Sequence, residues 1–464
     1  MRIKTIACLG LILVAEAAVR AQDIVPPPRF SPTQEGVPVP PAPGIGPNSG
    51  SSRGSTGFSA SDKAAPLLDR PFPGVVPGTG GTPWEPDGPF PPYNPNPGPI
   101  IVAEPVWPSP RLWFRAEALY WWTKASPLPA PLLTAGSLAD ATPGALGQPG
   151  TSVLIGNENV NTPGRAGGRF TLGFSLDAEQ TWGLEGTYFF LAPSSTSQNV
   201  SSDGSPDSAP LAFPFFNPNL PGEDSSLVAL PGTYAGSASV TVQDFFQGAE
   251  ANLLYNVQDS GGLRWDVIGG FRYLNLQENL SFVTDSLNVF PTAPGFFHTF
   301  DRFNANNNFY GGQIGVRASY DNNRLFLNGT GKLALGETSE NVGINGGTFT
   351  NAGGNFSAPG GYLSQPTNMG SFSQSRFAIV PEVNFNLGVR LSPWASIVVG
   401  YSFLYISSVA RPGDQIDRVI NPTQAPAITN NFPGSLAGQA RPAVVLRDTD
   451  FWVQGLNFGL EFRY

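Results

Sequence analysis

The chain ends with the segment Gly455-Leu456-Asn457-Phe458-Gly459-Leu460-Glu461-Phe462-Arg463-Tyr464, in which large apolar side chains occupy every second position. Successive side chains of a β-strand point to opposite faces, so this pattern predicts a strand with one apolar and one polar face. The remaining composition agrees, because aromatic residues make up 12% of the chain and glycine and proline are abundant. The sequence therefore predicts an all-β fold.

Nine runs upstream alternate in the same way, so we predict about ten strands, or twelve if the loops hold an unrecognised pair. The runs span residues 114–122, 170–176, 182–190, 245–257, 263–273, 310–320, 325–335, 381–391 and 395–405. Charged residues in and beside the runs fall on the face opposite the apolar stripe. They are Arg115, Glu117, Arg169, Asp177, Glu185, Glu250, Arg264, Asp266, Arg272, Arg317, Lys332, Glu382, Arg390, Glu461 and Arg463. This partition fits a soluble sandwich with an apolar core, and it equally fits a membrane barrel with a charged lumen.

The lengths of the connections favour the barrel. Short turns near residues 178–180, 258–261, 321–323 and 392–393 alternate with loops of roughly 28 to 48 residues. Loops that long are uncommon in a compact soluble domain, whereas outer-membrane barrels alternate short periplasmic turns with long outer loops. We therefore predict a closed antiparallel transmembrane β-barrel over residues 111–464, with both termini on the periplasmic side. A secreted β-sandwich or adhesin array is the alternative.

Two kinds of partner follow from this prediction. Aromatic residues at strand ends are typical of the girdles that contact outer-membrane lipid at its interfaces. They are Tyr120, Trp121, Trp122, Tyr188, Phe189, Phe190, Tyr401, Phe403 and Tyr405. The second predicted partner is the periplasmic barrel-assembly machinery, which would contact the C-terminal strand ending at Tyr464. The oligomeric state stays open.

The N-terminal part of the chain predicts export. Arg2 and Lys4 precede an apolar run over residues 6–15 and the segment Val19-Arg20-Ala21, which has small residues at the positions that a signal peptidase reads; this pattern is typical of a cleaved signal peptide over residues 1–21. A membrane anchor is the alternative, but the run is shorter than the ~20 residues that a spanning helix needs. Residues 22–110 contain 24 of the 48 prolines and predict a disordered Pro/Gly/Ser-rich spacer. A binding role for its proline runs is the alternative.

The composition argues against most kinds of catalytic, metal-binding and nucleic-acid-binding site. The chain has one cysteine, Cys8, and one histidine, His298, and its net charge is −9 without a basic patch. We therefore predict no catalytic residue, no cofactor, no metal site and no nucleic-acid partner. His298 is the one candidate base, with Asp301 nearby, and a surface or packing role for it is the alternative. The protein is predicted not to be an enzyme.

Four segments resemble a known bacterial family. They are Arg115–Trp122, Gly270–Leu276, Phe309–Arg317 and Val409–Asp417, and they are similar to the corresponding segments of the family Putative beta barrel porin-7. The most specific of them contains the loop Arg411-Pro412-Gly413-Asp414-Gln415-Ile416-Asp417. The resemblance covers residues 111–464 and implies a bacterial outer-membrane barrel; the family name implies a pore. It implies no substrate and no catalytic residue.

We expect porin-like passage of small solutes or ions, or, as the alternative, a non-conducting adhesion or envelope-structure barrel that acts through its outer loops. Ten strands lie near the size at which side chains fill the interior. The eight basic and seven acidic residues named above could pair across the strands, so we expect a mainly structural interior with at most a narrow pore. Arg411 and Asp414 either clip a turn or reach into the lumen. The acidic residues of loop 192–239 either favour cations or keep the loop solvated.

Overall fold

The computed structural model describes residues 111–464, except 289–294, 323, 353, 430–431 and 433. The predicted signal peptide and the predicted Pro-rich segment lie outside the described residues. No helix in the described part is long and apolar enough to cross a membrane. Regular structure there consists almost entirely of strands, which we number β1–β17 in chain order.

Ten long strands form one antiparallel ring. They are β1 (Leu112–Thr123), β6 (Arg165–Ser175), β7 (Trp182–Ser202), β10 (Tyr234–Ser260), β11 (Leu263–Asn288), β12 (Phe296–Asn322), β13 (Leu325–Thr350), β15 (Gly370–Ser392), β16 (Ala395–Ala410) and β17 (Asp448–Arg463). Each pairs with the next in this order, and β17 pairs again with β1. The prediction of an all-β fold with about ten strands is confirmed.

The connections at the two ends of the ring differ in length. At one end the strands are joined by short turns over residues 176–181, 261–262, 323–324 and 393–394, as predicted. At the other end they are joined by residues 124–164, 203–233, 289–295, 351–369 and 411–447. We call the half of the ring next to the short turns the lower half, and the other the upper half.

In the lower half, large apolar side chains point out of the ring. On β12, Ile314 is 66% exposed and Val316 is also exposed, whereas the neighbouring Gln313 is buried. The same alternation holds on β15, where Phe385 and Leu387 are exposed and Asn384 and Asn386 are buried. The predicted lipid stripe and the predicted polar face thus lie on the outside and the inside of the ring, respectively.

The upper half corrects the predicted loop lengths. Strands β10 to β13 run for 26 or 27 residues, so much of the sequence predicted as loop is strand. Here the apolar residues point inward: Val240 and Val242 of β10 are buried, and the small polar residues Ser239 and Thr241, which alternate with them, point outward. The register of β10 against β11 stays continuous from Tyr234 to Asn256. The apolar residues have therefore changed face along one uninterrupted strand.

The upper wall has fewer strands than the lower wall. The pairing of β6 with β7 ends at Leu191, and the pairing of β15 with β16 begins at Glu382 and Leu404. Among the described residues, the upper parts of β7 and β15 are therefore paired in the sheet on one side only. Six ring strands make up this wall: β7, β10, β11, β12, β13 and β15.

The long connections fold into a cap, which we define as the described residues of the segments 124–164, 203–233, 351–369 and 411–447. It contains β2 (Ser126–Leu128), β3 (Leu133–Ala135), β4 (Ser152–Ile155), β5 (Glu158–Val160), β8 (Leu211–Asn217), β9 (Gly222–Ala229) and β14 (Phe356–Pro359). Strands β4, β3, β8 and β9 form one small sheet, and β2 pairs with β5. Phe213 of the cap packs 4.6 Å from Tyr362 and 6.1 Å from Phe282 of β11, measured between ring centroids. Burying one such ring stabilises by about 1.5–3 kcal/mol, so this shared apolar core holds the cap inside the upper wall.

Candidate functional site

A cavity of about 390 Å³ occupies the interior of the lower half of the ring. Thirteen of the fifteen charged residues predicted on the polar face line it: Arg115, Glu117, Arg169, Glu185, Glu250, Arg264, Asp266, Arg272, Arg317, Lys332, Glu382, Glu461 and Arg463. Arg390 does not; it forms an ion pair with Asp321 at the short-turn end. Asp177 lies in the turn before β7, where its carboxylate accepts hydrogen bonds from the backbone N–H groups of Thr181 and Trp182.

Ion pairs cross the interior instead of joining only neighbouring strands. Arg317 of β12 donates two hydrogen bonds to Glu185 of β7, at 2.6 and 3.0 Å, although β10 and β11 separate these strands in the ring. Arg169 of β6 donates at 2.6 and 2.8 Å to Glu117 on the neighbouring β1. The Arg169 side chain also reaches Asn384 of β15 at 3.2 Å. Bidentate arginine–carboxylate pairs fix both side chains, so these pairs hold ordered charged groups around the cavity.

Four charges meet at the centre of the cavity. Glu250 accepts hydrogen bonds from Arg272 at 2.7 Å and from Lys332 at 2.6 Å. Glu382 pairs with the same Arg272 and lies 3.3 Å from the ammonium nitrogen of Lys332. Two cations and two carboxylates balance, which is the arrangement in which buried charges are tolerated.

Glu461 of the terminal strand joins the network near the short turns. Its carboxylate accepts hydrogen bonds from Arg115 Nε at 2.8 Å and from Arg463 Nε at 2.6 Å. Arg264 and Asp266 form a further pair at 2.9 Å on β11. Every charged residue in the lining described so far has an opposite charge within ion-pair distance, so the cavity has no strong net field of one sign.

An apolar layer lies across the interior between the cavity and the cap. Its buried side chains come from nine of the ten ring strands and include Leu119, Trp121, Phe189, Leu191, Phe246, Leu274, Leu276, Phe309, Ala334, Ala378, Val380, Leu404, Ile406, Val409, Phe451 and Val453. Trp121, Phe189, Phe246 and Phe451 contact one another in series at centroid distances of 5.6, 5.4 and 5.5 Å. The cavity ends at this layer, where Trp121, Phe189, Leu274 and Leu404 line it.

The apolar layer corrects part of the aromatic-girdle prediction. Tyr120 and Trp122 point outward and are exposed, but Trp121 is 2% exposed and Phe189 is 9% exposed, both inside the ring. The signal was present in the sequence, because Trp121 has the same parity along β1 as Arg115 and Glu117. Side chains of one parity share one face, so Trp121 belongs with the interior charges.

Arg411 connects the cap with the ring above the apolar layer. It is 1% exposed and donates to the Glu278 carboxylate of β11 at 2.8 and 2.6 Å. It also donates to the Ala125 carbonyl at 2.9 Å and to Ser126 Oγ at 3.1 Å, and its guanidinium lies 5.3 Å from the centre of the Phe451 ring. Of the two alternatives for Arg411, the structure shows the inward one.

The other residues of this loop shape its backbone. Pro412 begins a 3-10 turn, and a Cβ at Gly413 would lie 1.8 Å from the Pro127 carbonyl oxygen, so only glycine allows this approach. Gln415 donates to the Arg447 carbonyl at 2.7 Å, and Asp417 accepts from Arg441 at 2.9 Å. Burial raises the pKa of the Asp414 carboxyl. The loop motif thus holds the beginning of the segment 411–447 against its end, through the contacts with Arg441 and Arg447.

Comparison with known proteins agrees with these features. The family model described as Putative beta barrel porin-7 matches residues 113–464. The chain belongs to this family. The match spans the whole described ring and the Arg411 motif, and it begins after the predicted Pro-rich segment.

Solved structures are less informative about this porin-7 family member. The outer membrane protease OmpT from Escherichia coli aligns at 10% identity, covering 76% of this chain and 97% of that one, with a TM-score of 0.36. A Pseudomonas aeruginosa FadL homologue aligns at 8% identity, covering 76% and 90%, with a TM-score of 0.21. No curated protein matches. At such TM-scores the alignments carry no argument about activity.

The candidate base of this porin-7 family member does not form the expected pair. His298 Nδ1 lies 2.7 Å from Asp285 Oδ1 on the outer face of the ring, whereas Asp301 points inward. There Asp301 accepts hydrogen bonds from the backbone of Tyr362, Leu363 and Ser364. The structure therefore separates His298 from Asp301. The described residues contain no group of three or more His, Cys, Asp or Glu arranged to hold a metal ion.

Proposed function

We propose that this porin-7 family member is a bacterial outer-membrane β-barrel that is non-conducting in the conformation described. The lower half of the closed ring would span the membrane, and the upper half would support the folded cap on the cell surface. The observation that carries this proposal is the apolar layer, to which nine ring strands contribute and at which the cavity ends. It favours the envelope-structure or surface role over open passage.

The outer surface of the lower half supports the membrane assignment. On β12, the outward residues from Tyr310 to Tyr320 are Tyr310, Gly312, Ile314, Val316, Ala318 and Tyr320, all of them uncharged. Eleven residues at about 3.3 Å each, tilted by about 45°, span roughly 25 Å, which is the height of the apolar band on known outer-membrane barrels. Exposing such a band to water would invite aggregation.

Recording from single proteins in planar lipid bilayers tests the proposal. We expect no stable conductance steps from the folded wild-type protein, because both the apolar layer and the cap lie across the interior. Folding is checked first in SDS, where a folded barrel should migrate differently before and after boiling. Large, stable steps from protein that passes this check would contradict the proposal.

Passage of small solutes or ions is the second candidate, and the polar cavity of about 390 Å³ favours it. It would require the apolar layer to move aside. The double variant Phe246→Ala and Phe451→Ala removes two adjoining rings of that layer. Conductance in this variant but not in wild type would show that the apolar layer is the barrier, whereas conductance in both would favour passage.

The remaining parts of the proposal concern export and partners. The barrel would be exported by the predicted signal peptide, be surrounded by outer-membrane lipid, and engage the assembly machinery through the strand ending at Tyr464. It would act without an enzymatic step or a cofactor. Deletion of the last strand residues, followed by fractionation of the cell envelope, should leave the protein outside the membrane fraction.

A further inference from the structure

Three rings lie side by side on the outward face of the upper half of the ring. Phe300 and Phe349 are 6.2 Å apart between centroids with planes inclined by 15°, and His298 lies 6.1 Å from Phe349. The Asp285 carboxylate lies 2.7 Å from Nδ1 of His298, and the Arg302 guanidinium lies 5.0 Å from the centre of the Phe300 ring. We call these five residues the outer aromatic platform.

The backbone is shaped for this arrangement. Asp285, His298 and Phe349 are direct partners across β11, β12 and β13, and Phe300 pairs with Gly347. A Cβ at position 347 would lie 2.9 Å from Cε1 of Phe300. Glycine at this position therefore leaves room for the Phe300 ring to lie against β13.

The platform departs from the pattern of its surroundings. Nearer the lower half, outward positions of these strands carry small polar residues such as Asn304 and Asn345, whereas Phe349 is 43% exposed and Leu287 and Phe296 beside the platform are exposed as well. Phe300 lies ten residues above Tyr310, roughly 33 Å along the strand at about 3.3 Å per residue. The platform thus lies well beyond the apolar band and has no lipid to cover it.

We propose that the outer aromatic platform binds a neutral saccharide ring of a surface polysaccharide. The C–H groups on one face of a pyranose are weakly positive and pack against the negative faces of aromatic rings. The hydroxyl groups at its edge need both acceptors and donors, which Asp285 beside His298 and Arg302 beside Phe300 offer. One carboxylate and one guanidinium balance each other, so the platform has no net charge that would select an ionic ligand.

A second copy of this chain fits the platform less well. The three rings together expose roughly 200 Å², if each is about one third to one half exposed. Leu287 and Phe296 beside the rings enlarge the apolar surface, but a stable interface needs about 800 Å² per partner. A saccharide of one or two rings matches the available area.

The proposal is tested by affinity electrophoresis of the purified full-length protein in detergent micelles. Gels contain dextran, mannan or laminarin as neutral probes, and polygalacturonate as an acidic one. We expect at least one neutral polysaccharide to retard the wild type. Phe349→Ala and Phe300→Ala should each weaken binding about three- to tenfold, and Asp285→Asn should weaken it as well. Leu220→Ala, which changes the most exposed leucine of the cap, should bind as wild type does.

Three outcomes would overturn the proposal, once the SDS heat shift shows that each variant is folded. They are no retardation by any neutral probe, retardation by polygalacturonate alone, and unchanged binding of Phe349→Ala. Size-exclusion chromatography adds a fourth: a dimer that becomes a monomer in Phe349→Ala would assign the rings to a contact between copies. The placement of the platform on the cell exterior rests on the proposed function, but binding in micelles does not. A failure here leaves the bilayer recordings unaffected, and the reverse also holds.

Discussion

In the lower half of the ring the large apolar side chains point outward, whereas in the upper half of the same strands they point inward. On β10 the outward Leu253 and Tyr255 give way to the inward Val240 and Val242, with no break in the register against β11. Alternation along a strand shows only that one face is apolar and the other polar. What surrounds each face decides which one is apolar. The change of face therefore marks where a lipid exterior would give way to water and a filled interior.

The largest expected effect comes from the upper half. Arg411→Ala would leave the buried Glu278 carboxylate without its ion-pair partner, with only the hydrogen bond from Ser126, and should destabilise the cap by about 3–5 kcal/mol. The lower half should remain folded because its ion pairs are separate. Hydrogen exchange of residues 411–447, compared with that of β16 and β17, measures both halves in one experiment.

Arg418→Ala is the matched control for this variant. Arg418 lies in the same cap segment and pairs with Glu223, but that pair is partly exposed to solvent. Its loss should cost less than about 1 kcal/mol. Equal exchange in the two variants would mean that the Arg411 cluster does not hold the cap.

A smaller effect separates the two outer surfaces directly. Ile314→Arg places a charge in the middle of the apolar band and should destabilise the barrel in lipid vesicles by about 2–4 kcal/mol. Asn304→Arg, ten residues away on the outward face of the same strand, should change stability by less than about 0.5 kcal/mol. Unfolding by guanidinium in vesicles gives both values. Because Ile314 is 66% exposed, a soluble ring would tolerate the two substitutions equally well.

The sequence predicts those features of the fold that depend on the residues of a single strand. Alternation located the lower half of all ten ring strands, and parity grouped Arg115, Glu117 and Glu461 on one side. The sequence predicts loops for the upper halves, because their apolar residues, such as Val240 and Val242, alternate with Ser and Thr and lie on the opposite face from those of the lower half. The apolar stripe on the outward face of the lower half therefore does not continue into the upper half.

Other features depend on contacts between distant segments. Phe213 belongs to the cap core only because it meets Phe282 and Tyr362, which lie far from it along the chain. The pairing of Arg317 with Glu185 across the bore likewise follows from the curvature of the ring. Neither local propensity nor charge parity specifies which distant residue is the partner.

The smallest predicted effect concerns pH and two acids of the cap. Burial raises the pKa of Asp414 above 3.8 in the folded protein, so its protonated form is favoured by folding. Its contribution to stability is fully present below pH 3.8 and is lost as the pH rises through the raised value. Asp414→Asn should remove this loss and leave the cap slightly more stable at pH 7.

Asp203 provides a control of opposite sign in the same cap. The backbone N–H of Ser205 donates to its carboxylate at 3.0 Å and lowers its pKa, so its contribution is present at neutral pH and is lost as the pH falls through the lowered value. Asp203→Asn should therefore make the cap slightly less stable at pH 7. Urea unfolding is measured from pH 3 to pH 7 by hydrogen exchange of the cap residues. The two substitutions should change the dependence of cap stability on pH in opposite directions. If both substitutions changed the pH dependence of cap stability in the same direction, burial would not be what sets the pKa of Asp414. The loop around Arg411 would then be more hydrated than its contacts indicate.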